Sequence, residues 1–142
     1  MTEFSPFRRP LAPEEAAAFS PLVLAYVGDA VYELIIRTGL LARPMPIDVM
    51  HRRCVAWVSA RGQELVWERI KDQLQTDELE IARRARNAKS TAPRTATVAS
   101  YRRATALEAL IGYLYLTGQD GRIEALLRPV LERCAEELGK EG

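Results

Sequence analysis

The chain has 142 residues, 48% of them hydrophobic and 27% charged, with a formal net charge of +1. That length suits one domain, the apolar share supports a real core, and the composition excludes an intrinsically disordered chain. No apolar run approaches the ~20 residues that span a bilayer, and the opening MTEFSPFRRPLAPEE has no apolar signal-peptide core, so a soluble, cytoplasmic protein is expected.

The periodicity is helical throughout, with no sustained strand-like alternation and no Asn-Gly or Asp-Gly hairpin turn. The expected fold class is all-α, a single domain over residues 1–142 with residues 1–12 as a flexible N-terminus. A short helix is predicted over Pro13 to Phe19. Ser20-Pro21 reads as a cap followed by proline at the first helical position. The helix it opens, Leu22 to Arg37, ends at Thr38-Gly39. Apart from Asp29, Glu33 and Arg37 it is apolar or small on every face, a pattern that predicts burial on all sides. Pro44 and Pro46 bracket the next start. One helix follows from Ile47 to about Ser59 and another from Gln63 to Ile70, with Gly62 as the break. Thr76 is predicted to cap a helix that begins Asp77-Glu78 and runs to Arg86. Asn87 to Thr97 is loop chemistry. A helix resumes near Val98, runs to Thr117 and stops at Gly118. The last spans about Gly121 to Leu138, interrupted or kinked at Pro129.

Cys54 and Cys134 match no zinc spacing and are read as reduced, buried thiols. Trp57, Trp67, Tyr113 and Tyr115 fall at helical spacings that suit the core. His51, the only histidine, has no partner at ligand spacing; it is structural, or faces a ligand beside Arg52 and Arg53.

Charge is unevenly spread. From Ile81 to Leu107 there is no acid, and Arg83, Arg84, Arg86, Lys89, Arg94, Arg102 and Arg103 give a local charge of +7, leaving −6 on the rest. A basic segment on an acidic body is the footprint of a polyanion partner, or a solvated helix face.

Two helices are nearly all apolar yet hold an acid and a glycine: one carries Gly28, Asp29 and Glu33, the other Glu108 and Gly112. Glycine inside a helix costs roughly 1 kcal/mol and is tolerated where another backbone must come close. If these helices cross there, Asp29 and Glu108 converge. A pair of carboxylates suits Mg²⁺, which takes few protein oxygens and keeps several waters. The alternative is a buried salt bridge to Arg37 or Arg102. Glu33, near its helix end, is the weaker ligand candidate and is free to reach solvent or a base.

The run Tyr26-Val27-Gly28-Asp29-Ala30-Val31-Tyr32-Glu33-Leu34 resembles the signature helix of ribonuclease III. Thr105-Ala106-Leu107-Glu108-Ala109-Leu110-Ile111-Gly112 resembles that family's second acidic motif. With Arg83-Arg84-Ala85-Arg86-Asn87-Ala88-Lys89-Ser90, they resemble the Mini-III branch, which keeps the catalytic domain and lacks a separate double-stranded-RNA-binding domain. The resemblance covers about Leu22 to Leu127. It implies an Mg²⁺-dependent endoribonuclease that cleaves double-stranded RNA as a homodimer and leaves 5′-phosphates, with precursor 23S ribosomal RNA as substrate and a ribosomal protein on that substrate as a further partner. Asp29 and Glu108 would be the catalytic, metal-binding acids. RNA contacts would fall on Arg83, Arg86, Asn87, Lys89, Arg94, Tyr101 and Arg102. Full-length ribonuclease III has acids where this chain has Leu22, Ala25 and Thr105, a thinning that Mini-III proteins share. That thinning supports a second reading, a non-catalytic module that clamps structured RNA; a purely structural helical dimer is a third.

Overall fold

A computed structural model describes residues 9–88 and 97–138, with side chains as far as Arg133. Among the described residues there are seven α-helices, one short 3₁₀ turn and no strand, and no helix is long and apolar enough to cross a membrane. The helices are α1 (Pro13–Ala17), α2 (Pro21–Leu40), α3 (Ile47–Val58), α4 (Ala60–Ile70), α5 (Thr76–Arg86), α6 (Val98–Leu116) and α7 (Asp120–Leu138).

The central element is α6. Eleven of its residues are buried, from Ala104 to Leu116, and α2, α4, α5 and α7 all pack on it. Its sequence explains this: Ala, Leu, Ile and Tyr cover every face after the first two turns, so only an interior position satisfies it. The start of the described chain also docks here. Leu11, inside the segment expected to be flexible, is buried, and its N–H donates to the Leu116 carbonyl at 2.8 Å.

Most helix ends follow local chemistry. Ser20 Oγ accepts from the Leu22 N–H at 3.3 Å, with Pro21 at the first helical position, as predicted. Thr97 caps α6 by accepting from the Ser100 N–H at 3.0 Å. Gly118, at φ 72°, ends it in the left-handed region that glycine adopts without strain. Five features differ from the sequence reading. The first helix stops at Ala17, and α2 continues to Leu40. α5 starts at Thr76, so Thr76 is not its cap; instead the Glu78 side chain reaches back to accept from the Gln75 N–H at 2.8 Å. α7 is continuous through Pro129, without the expected interruption.

The fifth difference bears on the site. The break between α3 and α4 lies at Ser59, in extended conformation (φ −63°, ψ 160°), and Gly62 sits inside the first turn of α4. Ser59 Oγ accepts from the Gly62 N–H at 3.2 Å. A Cβ on Gly62 would overlap the Ala56 carbonyl oxygen and lie 2.6 Å from that of Trp57. This glycine therefore permits a close approach of α4 to the end of α3 rather than a break.

Two ion-pair clusters fix the outer helices. Buried Glu78 takes a two-pronged contact from Arg122 of α7, both bonds 2.8 Å, and Arg122 also donates to the Gln73 carbonyl. Buried Glu64 of α4 accepts from Ser100 Oγ (2.8 Å) and Arg103 (2.9 Å) of α6 and from Arg61 (2.8 Å). These bonds hold the Glu64 carboxyl below its usual range, Ser100 contributing most.

Candidate active site

The two glycine-notched helices cross at their glycines. A Cβ on Gly28 would overlap the Glu108 carbonyl oxygen and come within 2.8 Å of the Gly112 nitrogen; one on Gly112 would overlap the Leu24 carbonyl oxygen. Backbone thus rests on backbone, which only glycine allows. The residue after Gly28 is Asp29, and Glu108 lies one turn before Gly112. The crossing consequently brings the Asp29 and Glu108 carboxyl groups within hydrogen-bonding reach of each other.

The pair is asymmetric. Asp29 is exposed, contrary to the buried position its apolar helix predicted, while Glu108 is partly buried. Desolvation, then the adjoining Asp29 carboxyl through its hydrogen bond and charge, pushes the Glu108 carboxyl up to about 9. The amide of Gln63, from the first turn of α4, opposes that rise. The salt-bridge alternative does not account for the pair. Arg37 instead faces Glu33, 3.6 Å away on an exposed surface, so Glu33 is drawn to a base one turn on and not to Asp29.

No group of three or more His, Cys, Asp or Glu able to hold a metal occurs among the described residues. Two adjoining carboxylates, one open to solvent, nevertheless fit Mg²⁺, a hard cation commonly held by one or two carboxylates with water and phosphate completing its shell. The proton forced onto Glu108 is what a divalent cation at this point would replace.

The basic residues sort into two groups. Arg83, Arg86 and Asn87, at the end of α5, and Arg102, in the first turns of α6, are exposed; Tyr101 is half-buried. Tyr101 precedes Glu108 by two helical turns on the same face, about 10 Å along the axis. Arg83 is paired with Glu80 at 2.6 Å. Arg84 and Arg103, part of the same basic run, serve the fold: Arg84 donates to the Ala17 carbonyl at 3.0 Å and Arg103 binds Glu64 and Glu68. Lys89 and Arg94 lie outside the described residues. His51 is exposed on α3, away from any cluster of potential ligands among the described residues. Cys54 is buried and free, and Trp57, Trp67 and Tyr113 are core residues. Tyr115 is half-buried, and the Cys134 side chain lies outside the described residues.

Sequence reasoning missed Gln63 and Glu64. The available signal was their place directly after a serine cap and a glycine, where two long polar side chains enter a buried turn.

An all-helical domain with an acid pair at a glycine crossing defines a recognisable class. A family profile described as Ribonuclease III domain matches residues 22–119, and the chain belongs to this family of endoribonucleases. Curated Mini-ribonuclease 3 proteins are among its relatives. The Mini-ribonuclease 3 of Thermoanaerobacter sp. (strain X514) is 45% identical over 119 residues, covering 82% of this chain and 84% of that protein. The Mini-ribonuclease 3 of Clostridium tetani (strain Massachusetts / E88) is 36% identical over 132 residues, 91% of this chain and 87% of that one. The crystal structure of protein FN1578 from Fusobacterium nucleatum superposes with a TM-score of 0.76 at 37% identity, covering 81% of this chain and 93% of that chain.

Proposed function

We propose that this endoribonuclease hydrolyses double-stranded RNA, with Asp29 and Glu108 holding Mg²⁺, as a homodimer in the cytoplasm, and that its substrate is precursor 23S ribosomal RNA. The observation that carries the reading is the juxtaposition of the two carboxyl groups at the Gly28–Gly112 crossing, one of them open to solvent.

An Mg²⁺ ion held by Asp29 and Glu108 would supply positive charge for the scissile phosphate and Lewis acidity for the attacking water. Glu108 would hold the ion as a carboxylate, since a cation beside both groups would offset the repulsion from Asp29. Asp29, which is exposed, is the ligand that solvent and substrate can reach. Arg83, Arg86 and Asn87 from α5 and Tyr101 and Arg102 from α6 hold the RNA backbone, and Lys89 and Arg94 belong to the same set. Contacts of this kind read A-form shape rather than sequence. Attack by water in line with the departing 3′-oxygen leaves a 5′-phosphate and a 3′-hydroxyl. Two sites in a symmetric dimer cut the two strands. A ribosomal protein on the precursor would contact the enzyme as a further partner.

Dimerisation is supported by the uncovered face of α2. Tyr26 is 82% exposed and Leu34 65%, with Val23 also exposed, on the helix that carries Asp29. Apolar side chains in that number on one helix suit contact with a second copy of the chain, which would set the two sites on either side of a shared axis.

The test is cleavage of a precursor ribosomal RNA duplex with Mg²⁺ or with chelator, followed by 5′-end mapping. Asp29→Asn and Glu108→Gln should each remove cleavage and leave duplex binding intact. Either variant cutting near the wild-type rate at saturating Mg²⁺ removes that residue from the site.

A further inference from the structure

We infer that Arg61, in the first turn of α4, is a further contact for the RNA phosphate backbone, held ready for that contact by the buried carboxylate of Glu64. This rests on the reading of the α5–α6 surface as the one that receives duplex RNA.

Glu64 is a buried acid that the proposed chemistry does not use, and it ties α4 to the start of α6. Its Oε2 accepts from Ser100 Oγ at 2.8 Å and from Arg103 Nη1 at 2.9 Å, and its Oε1 accepts from Arg61 Nη1 at 2.8 Å. The two guanidinium groups thus stand on opposite oxygens of one carboxylate. Ser100 and Arg103 flank Tyr101 and Arg102 in the chain, so Arg61 is brought beside the first turns of α6, where the proposed RNA contacts stand. Arg103 lies five residues before Glu108, roughly 7–8 Å along the helix axis. A duplex that reaches both Tyr101 and the acid pair lies along this length of α6, with Arg61 at its edge.

Neither packing nor helix chemistry accounts for Arg61. Its side chain is 84% exposed, so it fills no space in the core. In the first turn of a helix a cation adds to the positive end of the dipole, where acids are favoured. Charge balance does not require it either. Arg61, Arg103 and Lys71 face Glu64 and Glu68, three cations to two acids, and Arg61 is the most exposed of the three. The unmatched positive charge is therefore presented to solvent at Arg61. Among the described residues this arginine donates through Nη1 alone. Its other donors leave an open fork of the kind that grips a phosphate through two parallel bonds. Two exposed partners would order each other only weakly. Glu64 is enclosed and fixed from α6, so Arg61 is ordered before a ligand arrives, which lowers the entropy cost of binding.

The test is the affinity for duplex RNA in chelator, measured by fluorescence anisotropy between about 50 and 200 mM salt. Arg61→Ala should keep wild-type helical content, bind about three- to tenfold more weakly, and flatten the salt dependence by about one charge. Arg61→Lys keeps the charge and loses the fork; it should recover the salt dependence and only part of the affinity. Arg128→Ala removes an exposed, ion-paired arginine from α7 and should change neither. Wild-type affinity in Arg61→Ala overturns the inference. So does an equal loss in Arg128→Ala, which would make the effect one of net charge. Glu64→Gln tests the orienting role through its sign. Removing a negative charge beside a polyanion tightens binding if only the field matters, whereas loss of the carboxylate that holds Arg61 weakens it. Weaker binding is expected, and tighter binding overturns the role of Glu64. Should Glu64→Gln not fold, nitrogen-15 relaxation of the Arg61 guanidinium in the RNA-free wild type decides: an ordered group is expected, and one as mobile as free arginine overturns that role. Arg86→Ala and Arg102→Ala report on the underlying surface. If they leave affinity unchanged, that surface is wrong and the inference falls with it; if they weaken binding and Arg61→Ala does not, only Arg61 is wrong.

Discussion

α2 and α6 are alike in sequence and opposite in setting. Each is about five turns of mostly apolar residues in which a glycine stands within one turn of an acid. α6 is enclosed from Ala104 onward, whereas α2 buries only Leu24, Ala25, Gly28, Tyr32 and Ile36 and turns Tyr26 and Leu34 to solvent. Uniform apolarity thus predicts that a helix needs covering on all sides, not that its own chain covers it. The difference also separates the two acids. Glu108, on the enclosed helix, bears the desolvation; Asp29, on the open one, stays accessible. In the proposed cation site, the enclosed acid would hold the ion and the open one would leave room for a phosphodiester.

The largest effects should come from closing the notch that joins the two helices. Gly28→Ala and Gly112→Ala each drive a methyl into backbone that has no room to yield. Overpacking a core costs typically 1–3 kcal/mol, and a backbone-on-backbone overlap sets that as a floor: we expect a loss of at least about 3 kcal/mol. In a domain of this size that lowers the melting midpoint by roughly 10 °C, read by circular dichroism. A melting curve unchanged in either variant would show that the helices do not meet at these residues.

The next effect tests what covers the open face of α2. A glutamate at Tyr26 puts charge in the middle of the proposed dimer contact and barely touches the core, since Tyr26 is almost wholly exposed. Wild-type protein should sediment as a dimer at micromolar concentration. Tyr26→Glu should sediment as a monomer with unchanged helical content and much reduced double-strand cleavage. A wild type that sediments as a monomer leaves that face without a second copy.

Much of this was legible beforehand for a physical reason. Ser20-Pro21, the glycine stop at Gly118 and the acid-free basic run act locally, and local chemistry can be read one segment at a time. Gly28 and Gly112 were legible as a pair because glycine is costly in a helix and each stood beside an acid. What stayed hidden depended on distant partners. Nothing near Arg84 or Arg103 distinguishes them from Arg86, yet the first anchors α1 and the second binds buried Glu64. Gly62 read as a break because the carbonyls of Ala56 and Trp57 against it cannot be foreseen from its neighbours. The exposed side of α2 stayed hidden because it faces nothing among the described residues.

Acidity gives a smaller but directional test of the same contrast. Without a divalent ion, Glu108 keeps in the folded state a proton that it loses in the unfolded chain above its ordinary value of 4.5, and releases it only near 9. The folded state binds the extra proton, so this carboxyl removes stability progressively as pH rises from about 4.5 to about 9. Glu64 acts the other way: its carboxyl is held low by Ser100 and Arg103, so its contribution is present above 4.5 and lost as pH falls through its lowered value. Glu108→Gln should therefore match wild type near pH 4 and exceed it at pH 8 by about 1 kcal/mol or more. Urea unfolding in chelator at the two pH values checks this. Equal stability at pH 8 would mean that Glu108 is not desolvated by α2.

The smallest effect uses a second glycine of α2, Gly39, eleven residues beyond Gly28. It is exposed near the end of the helix, and a Cβ there would meet nothing within 4 Å. Its φ is not in the positive range, and its carbonyl accepts from the Ala42 N–H in the closing turn, so alanine fits the existing backbone. Alanine there narrows the unfolded ensemble and favours helix, a gain of about 0.5–1 kcal/mol. Gly39→Ala should thus raise the melting midpoint by roughly 2 °C and leave cleavage unchanged. Because the same substitution in the same helix is expected to change sign between positions 28 and 39, the pair separates two explanations of glycine in α2. If Gly39→Ala destabilises as well, α2 requires glycine for the conformation of its backbone. The close approach of α6 would then no longer be needed to explain Gly28.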